Sequence, residues 1–155
     1  MKEKFVKVYT DGASSGNPGP SGIGIVVLDE KDNIIHTHKK FLGIRTNNYA
    51  EYSALIEAVK LLQKLEIIFD VINFYADSSL LVNQINGEYK IKHKDLIQLS
   101  LEFWKEIKKL NKRFSITYIP RDQNKQADKL AVESIKENVK KKSSTKADRN
   151  LLIKS

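Results

Sequence analysis

Phe5-Val6-Lys7-Val8-Tyr9-Thr10-Asp11-Gly12-Ala13-Ser14 reads as a strand that ends on a carboxylate and then breaks at glycine. Phe5, Val6, Val8 and Tyr9 have the β-branched and aromatic character of a mostly buried strand, so Asp11 falls where a sheet meets its first loop. An acid there can face a cleft. Asp-Gly is also ordinary turn punctuation, and the pair alone says no more than that. Three further acids repeat the placement: Glu51 near a helix start, Asp77 at a strand end, and Asp128 near the start of a late helix.

Working outward, Gly16-Asn-Pro-Gly-Pro forms a turn-rich loop and residues 22–28 are a nearly continuous apolar run, as in a buried strand. After the Asp32-Asn33 turn, residues 34–41 return as a third strand antiparallel to the second. His36 and His38 share one face of it; with no third ligand nearby they fit a solvated or nucleic-acid-facing pair better than a metal site. Asn48-Tyr-Ala-Glu51 places a capping residue three positions before Glu and leads into Leu55, Ala58, Val59 and Leu62 at helical spacing. Glu51 thus suits a capping box as well as a site. Residues 71–76 form a short strand that Asp77 ends, and Ser78 or Ser79 can cap a helix over 80–85 that Asn86-Gly87 closes.

A longer helix over 96–110 carries Leu99, Phe103, Ile107 and Leu110 on its apolar face, with Trp104 expected as a core anchor. Residues 114–119 make the last strand, and Asn124 or Asp122 caps a helix from Lys125 to Val139 through Ala127, Leu130, Ala131 and Ile135. Asp128 in its first turn is also what the helix dipole favours. The order β-β-β-α-β-α-α-β-α predicts an α/β fold. Its five-stranded mixed sheet has three antiparallel strands continued by parallel ones, flanked by helices.

At 155 residues the chain is large enough for one domain with a real core, and without cysteine the fold does not depend on oxidation. No apolar run approaches membrane-spanning length, and the charged start Lys2-Glu3-Lys4 leaves no room for a signal peptide, so a soluble, cytoplasmic monomer with no membrane partner is expected. Basic residues outnumber acidic ones by 27 to 19, a net of +8, which suits a polyanionic partner. The distribution qualifies this: residues 139–155 hold six basic side chains against Asp148, leaving only +3 on the body. The expected division is a folded body over 1–138 and a mobile basic tail over 139–155.

The segments Tyr9-Thr-Asp-Gly-Ala-Ser, Gly16-Asn-Pro-Gly-Pro, Thr46-Asn-Asn-Tyr-Ala-Glu-Tyr, Tyr75-Ala-Asp-Ser and Gln123-Asn-Lys-Gln-Ala-Asp-Lys-Leu-Ala, in this order, resemble ribonuclease H of type 1. The resemblance covers about residues 5 to 138. It implies a ribonuclease H-like fold and a metal-dependent endonuclease that cuts the RNA strand of RNA–DNA hybrids, leaving 5′-phosphomonoesters. By the same resemblance, Asp11, Glu51, Asp77 and Asp128 are the catalytic and metal-binding carboxylates for two Mg²⁺ ions, with Mn²⁺ as a substitute. Asp11 would bridge both ions, Glu51 and Asp77 would hold the one on the leaving-group side, and Asp128 the one on the nucleophile side. The chemistry suits acids: in-line hydrolysis needs an activated water and a neutralised leaving oxygen, which a pair of hard cations on oxygen ligands supplies. Four acids without metal would repel one another.

Substrate contacts implied by the resemblance are Asn17, Asn47, Asn48, Ser79 and the backbone at Gly12, Ala13 and Ser14, close to a 2′-hydroxyl. Double-stranded RNA, which shares the A-like shape and the 2′-hydroxyls, is the second candidate substrate, and a hybrid-binding module without chemistry is the third reading. The chain departs from the family in three places. A histidine common before the last helix is absent, and Arg121 is the nearest residue to act in proton transfer or product release. The Lys90–Asp95 connection is too short for the basic protrusion of some relatives, and Ser79 stands where a longer glutamine is frequent.

Overall fold

Burial alternates along the first strand: Val6 and Val8 are enclosed while Phe5, Lys7 and Tyr9 are half-exposed, as a strand covered more completely on one face requires. The structure, a computed structural model, describes the backbone of residues 3–154 and the side chains of residues 3–140. Strands β1 (Phe5–Ser14), β2 (Gly19–Leu28) and β3 (Ile34–Arg45) form an antiparallel meander, followed by α1 (Asn47–Lys64) and β4 (Val71–Ala76). Helices α2 (Ser79–Ile85) and α3 (Lys94–Leu110), β5 (Arg113–Tyr118), a 3-10 turn (Arg121–Gln123) and α4 (Lys125–Lys154) complete the chain. The sheet order is β3-β2-β1-β4-β5, with β4 and β5 parallel to β1, so the expected mixed sheet is present and β1 lies at its centre.

Close backbone approach, rather than a turn, explains Gly12. A Cβ at Gly12 would lie 2.2 Å from the carbonyl carbon of Ala50 in α1. The strand therefore runs on through Asp11 and Gly12 to Ser14 instead of breaking there as expected. On the opposite face, a Cβ at Gly24 would lie 2.0 Å from the carbonyl oxygen of Ala127 in α4. Gly24 is the β2 partner of Asp11, and paired residues share a face, so Asp11 points to the α4 side. Helices thus clamp the central strands from both faces at the level of Asp11. Below this level Val8, Ile23, Ile25, Tyr52, Leu55, Val59, Ile72, Phe74 and Phe103 form one buried core.

Several elements differ from the sequence expectation. β3 extends beyond 41 to Arg45 because a register shift beside Gly22 and a left-handed Gly43 (φ 80°) absorb the apparent break. Trp104 is 45% exposed: one helical step from Phe103 turns it off the buried face, where it lies 5.3 Å from Phe103 and 5.7 Å from Phe114, ring to ring. His36 and His38 are half-buried on β3, and neither belongs to a metal-holding group among the described residues. Helix α4 does not end near 139; its backbone continues to Lys154 in a stretch without glycine or proline to stop it. The side chains of the expected basic tail lie outside the described residues beyond 140, while the packing of α4 on the sheet is carried by Ala127, Ala131, Ser134 and Ile135. Among the described residues no helix is long and apolar enough to cross a membrane.

Candidate active site

The sheet and its two clamping helices bring separate acids to one end of β1 and β4. Asp11 is 3% exposed on the α4 face of β1. Glu51 arrives from α1, whose start differs from the expected capping box: Thr46, in extended backbone, is the cap, and its hydroxyl accepts from the amide of Tyr49 at 3.2 Å. Asn48 is already helical, so Glu51 has no capping role and turns inward, 9% exposed. Asp77 follows directly on β4, before Ser78, which caps α2 by accepting from the Leu81 amide. One carboxylate oxygen from each of Asp11, Glu51 and Asp77 lies within 4.8 Å of the others. Asp128, in the first turn of α4, meets Asp11 on the face of the sheet to which Asp11 points, opposite α1.

Crowding dominates the electrostatics. Burial is the largest influence on Asp11, and the charges of Glu51 and Asp77 with the carboxyl contacts to Asp128 and Glu51 add to it, pushing its pKa up to about 11. Glu51 is raised to about 8, again first by burial and then by Asp77, with the Asp11 carboxyl, the Gly12 amide and Arg121 acting in the opposite sense. Without a counter-charge, Asp11 therefore holds a proton at neutral pH. Glu51 Oε2, Asp77 Oδ2 and Asp128 Oδ1 are buried with no hydrogen-bond partner. Buried acceptors left bare are unfavourable, and all donors here are hard oxygens, so the residues fit divalent cations that would both neutralise and ligate them.

The cluster opens on a cleft of 420 Å³ lined by Asp11, Gly12, Ala13, Ser14, Asn47, Asn48, Glu51, Asp77, Ser78 and Arg121. Most of the expected substrate contacts therefore line a single surface. Asn17 is not among the lining residues; its Oδ1 accepts from the Asn47 amide at 3.1 Å. Ser79, exposed at the first turn of α2, lies beside the cleft and shares a hydrogen bond with Asn83 rather than lining it. Arg121 Nη2 is 3.8 Å from Asp128 Oδ1, too long for a hydrogen bond, and its side chain is 81% exposed at the rim. Two residues of the site were not singled out for it by the sequence. Ser78 was one of two equivalent capping candidates. Asn124, expected with Asp122 as a candidate cap, has a side chain 1% exposed that instead donates to the carbonyl of Thr10 at 2.9 Å.

The comparisons with known proteins agree with this geometry. A family model described as reverse transcriptase-like matches residues 9–134. The ribonuclease H of Acetivibrio thermocellus is 34% identical over 159 aligned positions, covering 89% of this chain and 99% of that protein. The ribonuclease HI of Halobacterium salinarum is 36% identical over 84% of this chain and 64% of its own length. The crystal structure of RNase H1 from that archaeon superposes with a TM-score of 0.81 over 86% of this chain and 98% of the other. LC11-RNase H1, solved in complex with an RNA/DNA hybrid, gives a TM-score of 0.80 at 36% identity, covering 86% and 99% of the two chains. The chain spans only 35% of the length of the mycobacterial relatives it matches. With Asp11, Glu51 and Asp77 brought together, a family model over residues 9–134, and ribonuclease H relatives matched over most of this chain by sequence and by fold, this chain belongs to the ribonuclease H type 1 family.

Proposed function

We propose that this chain is a metal-dependent endoribonuclease that hydrolyses the RNA strand of RNA–DNA hybrids at Asp11, Glu51, Asp77 and Asp128, using two divalent ions, Mg²⁺ or Mn²⁺. The observation that carries the reading is the convergence of three carboxylates within 4.8 Å at the floor of an open cleft, with buried oxygens on three of the four acids left unpartnered. When bound there, the ions supply a water acidic enough to attack at neutral pH and neutralise the leaving 3′ oxygen, which releases a 5′-phosphomonoester. Asp11, central in the group and touching both Glu51 and Asp128, is the acid suited to serve both ions. Glu51 and Asp77 approach from one side and Asp128 from the other, which suits one ion on each side.

The remaining residues bind and orient. Asn47, Asn48 and the backbone from Gly12 to Ser14 present donors and acceptors along the cleft, as needed to read a 2′-hydroxyl. Asn17 fixes the start of α1 by accepting from the Asn47 amide. In the place of the family's histidine, the Arg121 guanidinium acts on phosphate or on Asp128 by charge. Labelled RNA–DNA hybrid, RNA duplex and DNA duplex, each with Mg²⁺ and with a chelator, provide the test. Cleavage of the hybrid only with the cation is expected; slower cleavage of RNA duplex would widen the substrate class. Tight hybrid binding with no product would leave a binding module and overturn the proposal.

A further inference from the structure

Asn124 stands at the meeting point of three chain segments that carry site residues. Its side-chain amide donates to the carbonyl of Thr10, the residue before Asp11, at 2.9 Å across a separation of 114 residues. Its own carbonyl accepts from the Asp128 amide at 3.1 Å, and its amide donates to the Arg121 carbonyl at 3.1 Å. Thr10 is also the last β1 residue paired with β4, so Asn124 holds β1 where that partner strand leaves it. The bond is sealed from water, since Asn124 is 1% exposed and Thr10 wholly buried. A carbonyl only accepts, which fixes the amide with Nδ2 toward Thr10, and Oδ1 has no protein partner. The donor is therefore the half of the side chain that the fold uses. A leucine would come close to the shape and lack the donor.

We infer that Asn124 is a positioning residue that sets the spacing between Asp11 and Asp128, and through it the hold of the carboxylate group on divalent cations. Apart from the contact between the Asp11 and Asp128 carboxyls themselves, this bond is what ties β1 to the start of α4 among the described side chains. The inference rests on the nuclease reading, because the acids matter only if they share cations. Displacement by about 1 Å at a reacting centre lowers rates by roughly a hundredfold, so loss of this one bond has a measurable consequence.

The test compares wild type, Asn124→Ala and Ile107→Ala, a core truncation in α3 away from the acids, by Mn²⁺ binding in electron paramagnetic resonance without substrate and by steady-state cleavage of hybrid. Asn124→Ala is expected to weaken Mn²⁺ binding at least about fivefold and lower kcat about thirtyfold with KM within about twofold, while Ile107→Ala changes neither. In an Asp128→Asn background the same alanine should weaken Mn²⁺ binding less than about twofold, since no second acid remains to be spaced. Equal losses in Asn124→Ala and Ile107→Ala would reduce the effect to general destabilisation and overturn the positioning role, as would wild-type values in Asn124→Ala or full additivity with Asp128→Asn. Should the alanine variant not fold, Asn124→Leu, which keeps the volume and removes the donor without adding charge, decides: a loss of kcat above about tenfold supports the role and a smaller one overturns it. A wild type that neither binds Mn²⁺ nor cuts hybrid overturns the nuclease reading itself, a distinct result.

Discussion

Asp11 is enclosed on the sheet face that α4 covers and is raised to about 11 by burial and by its acidic neighbours, so the metal-free protein carries a strained, protonated group at its centre. Asp11→Asn is expected to abolish Mg²⁺-dependent cleavage and to raise metal-free stability by about 1–2 kcal/mol, roughly 2–8 °C in Tm, as calorimetry and activity on the same sample would show. Intact cleavage in that variant would remove Asp11 from the chemistry. The pH dependence follows from the raised values. In the unfolded chain Asp11 and Glu51 titrate in the usual carboxylate range, whereas in the fold they keep their protons to higher pH. Their contribution to stability is full below that range and is lost as pH rises through the folded values, so metal-free stability falls from about pH 4 upward. Saturating Mg²⁺ should flatten this slope, and Mg²⁺ affinity itself should rise with pH as protons are displaced; denaturant melts across pH with and without Mg²⁺ would check both. At this scale the convergence of Asp11, Glu51 and Asp77 was legible from the motifs that carry them, although Asp11 lies within β1 and not at its end. Asn124 was not legible as a tie to Thr10, since a side chain that bonds a carbonyl 114 residues away leaves no local signal.

Elements hold these residues where they are, and the glycines show how. Gly12→Ala would set a Cβ 2.2 Å from Ala50, so α1 must move away from β1 and carry Glu51 with it. The expected result is a destabilisation of about 3 kcal/mol or more together with loss of cleavage, read from urea melts and activity. Thr46→Ala, which removes the cap of α1, should cost about 1 kcal/mol and leave most activity, because Asn17 still holds the Asn47 amide. Strand and helix order was fully readable from periodicity. The ends were less so, for identifiable reasons. Gly12 looked like a terminator because sequence does not distinguish a glycine needed for a turn from one needed for close packing. Asn48 fits a cap by its spacing to Glu51, but the chain enters the helix two residues earlier, where Thr46 has the extended backbone and the capping hydroxyl. Trp104 could have been placed correctly, since its neighbour Phe103 already occupied the buried face.

Over the whole molecule, charge is unevenly divided: the body carries +3, and residues 139–155 the other +5. We propose that this terminal stretch of α4 adds sequence-independent affinity by contacting phosphates, in a chain whose α2–α3 connection is too short for a basic protrusion. Removing 139–155 should leave the fold intact, since the packing of α4 ends at Ile135 among the described residues, and should reduce the slope of log K against log salt by about 2–5. An unchanged slope in fluorescence anisotropy would mean that these lysines do not touch the substrate. The composition suggested this division but not the unbroken helix across it, because a shift in charge does not end a helix that lacks a breaker. The central claim, that acids distant along the chain converge to hold cations over an RNA phosphate, is tested most directly by anomalous scattering from Mn²⁺ in crystals of the full chain with a hybrid carrying a non-hydrolysable linkage. The account predicts two peaks about 4 Å apart, ligated by Asp11, Glu51, Asp77 and Asp128 and by the RNA phosphate. Hybrid seated in the cleft with these four carboxylates unligated, and Mn²⁺ bound elsewhere, would contradict it.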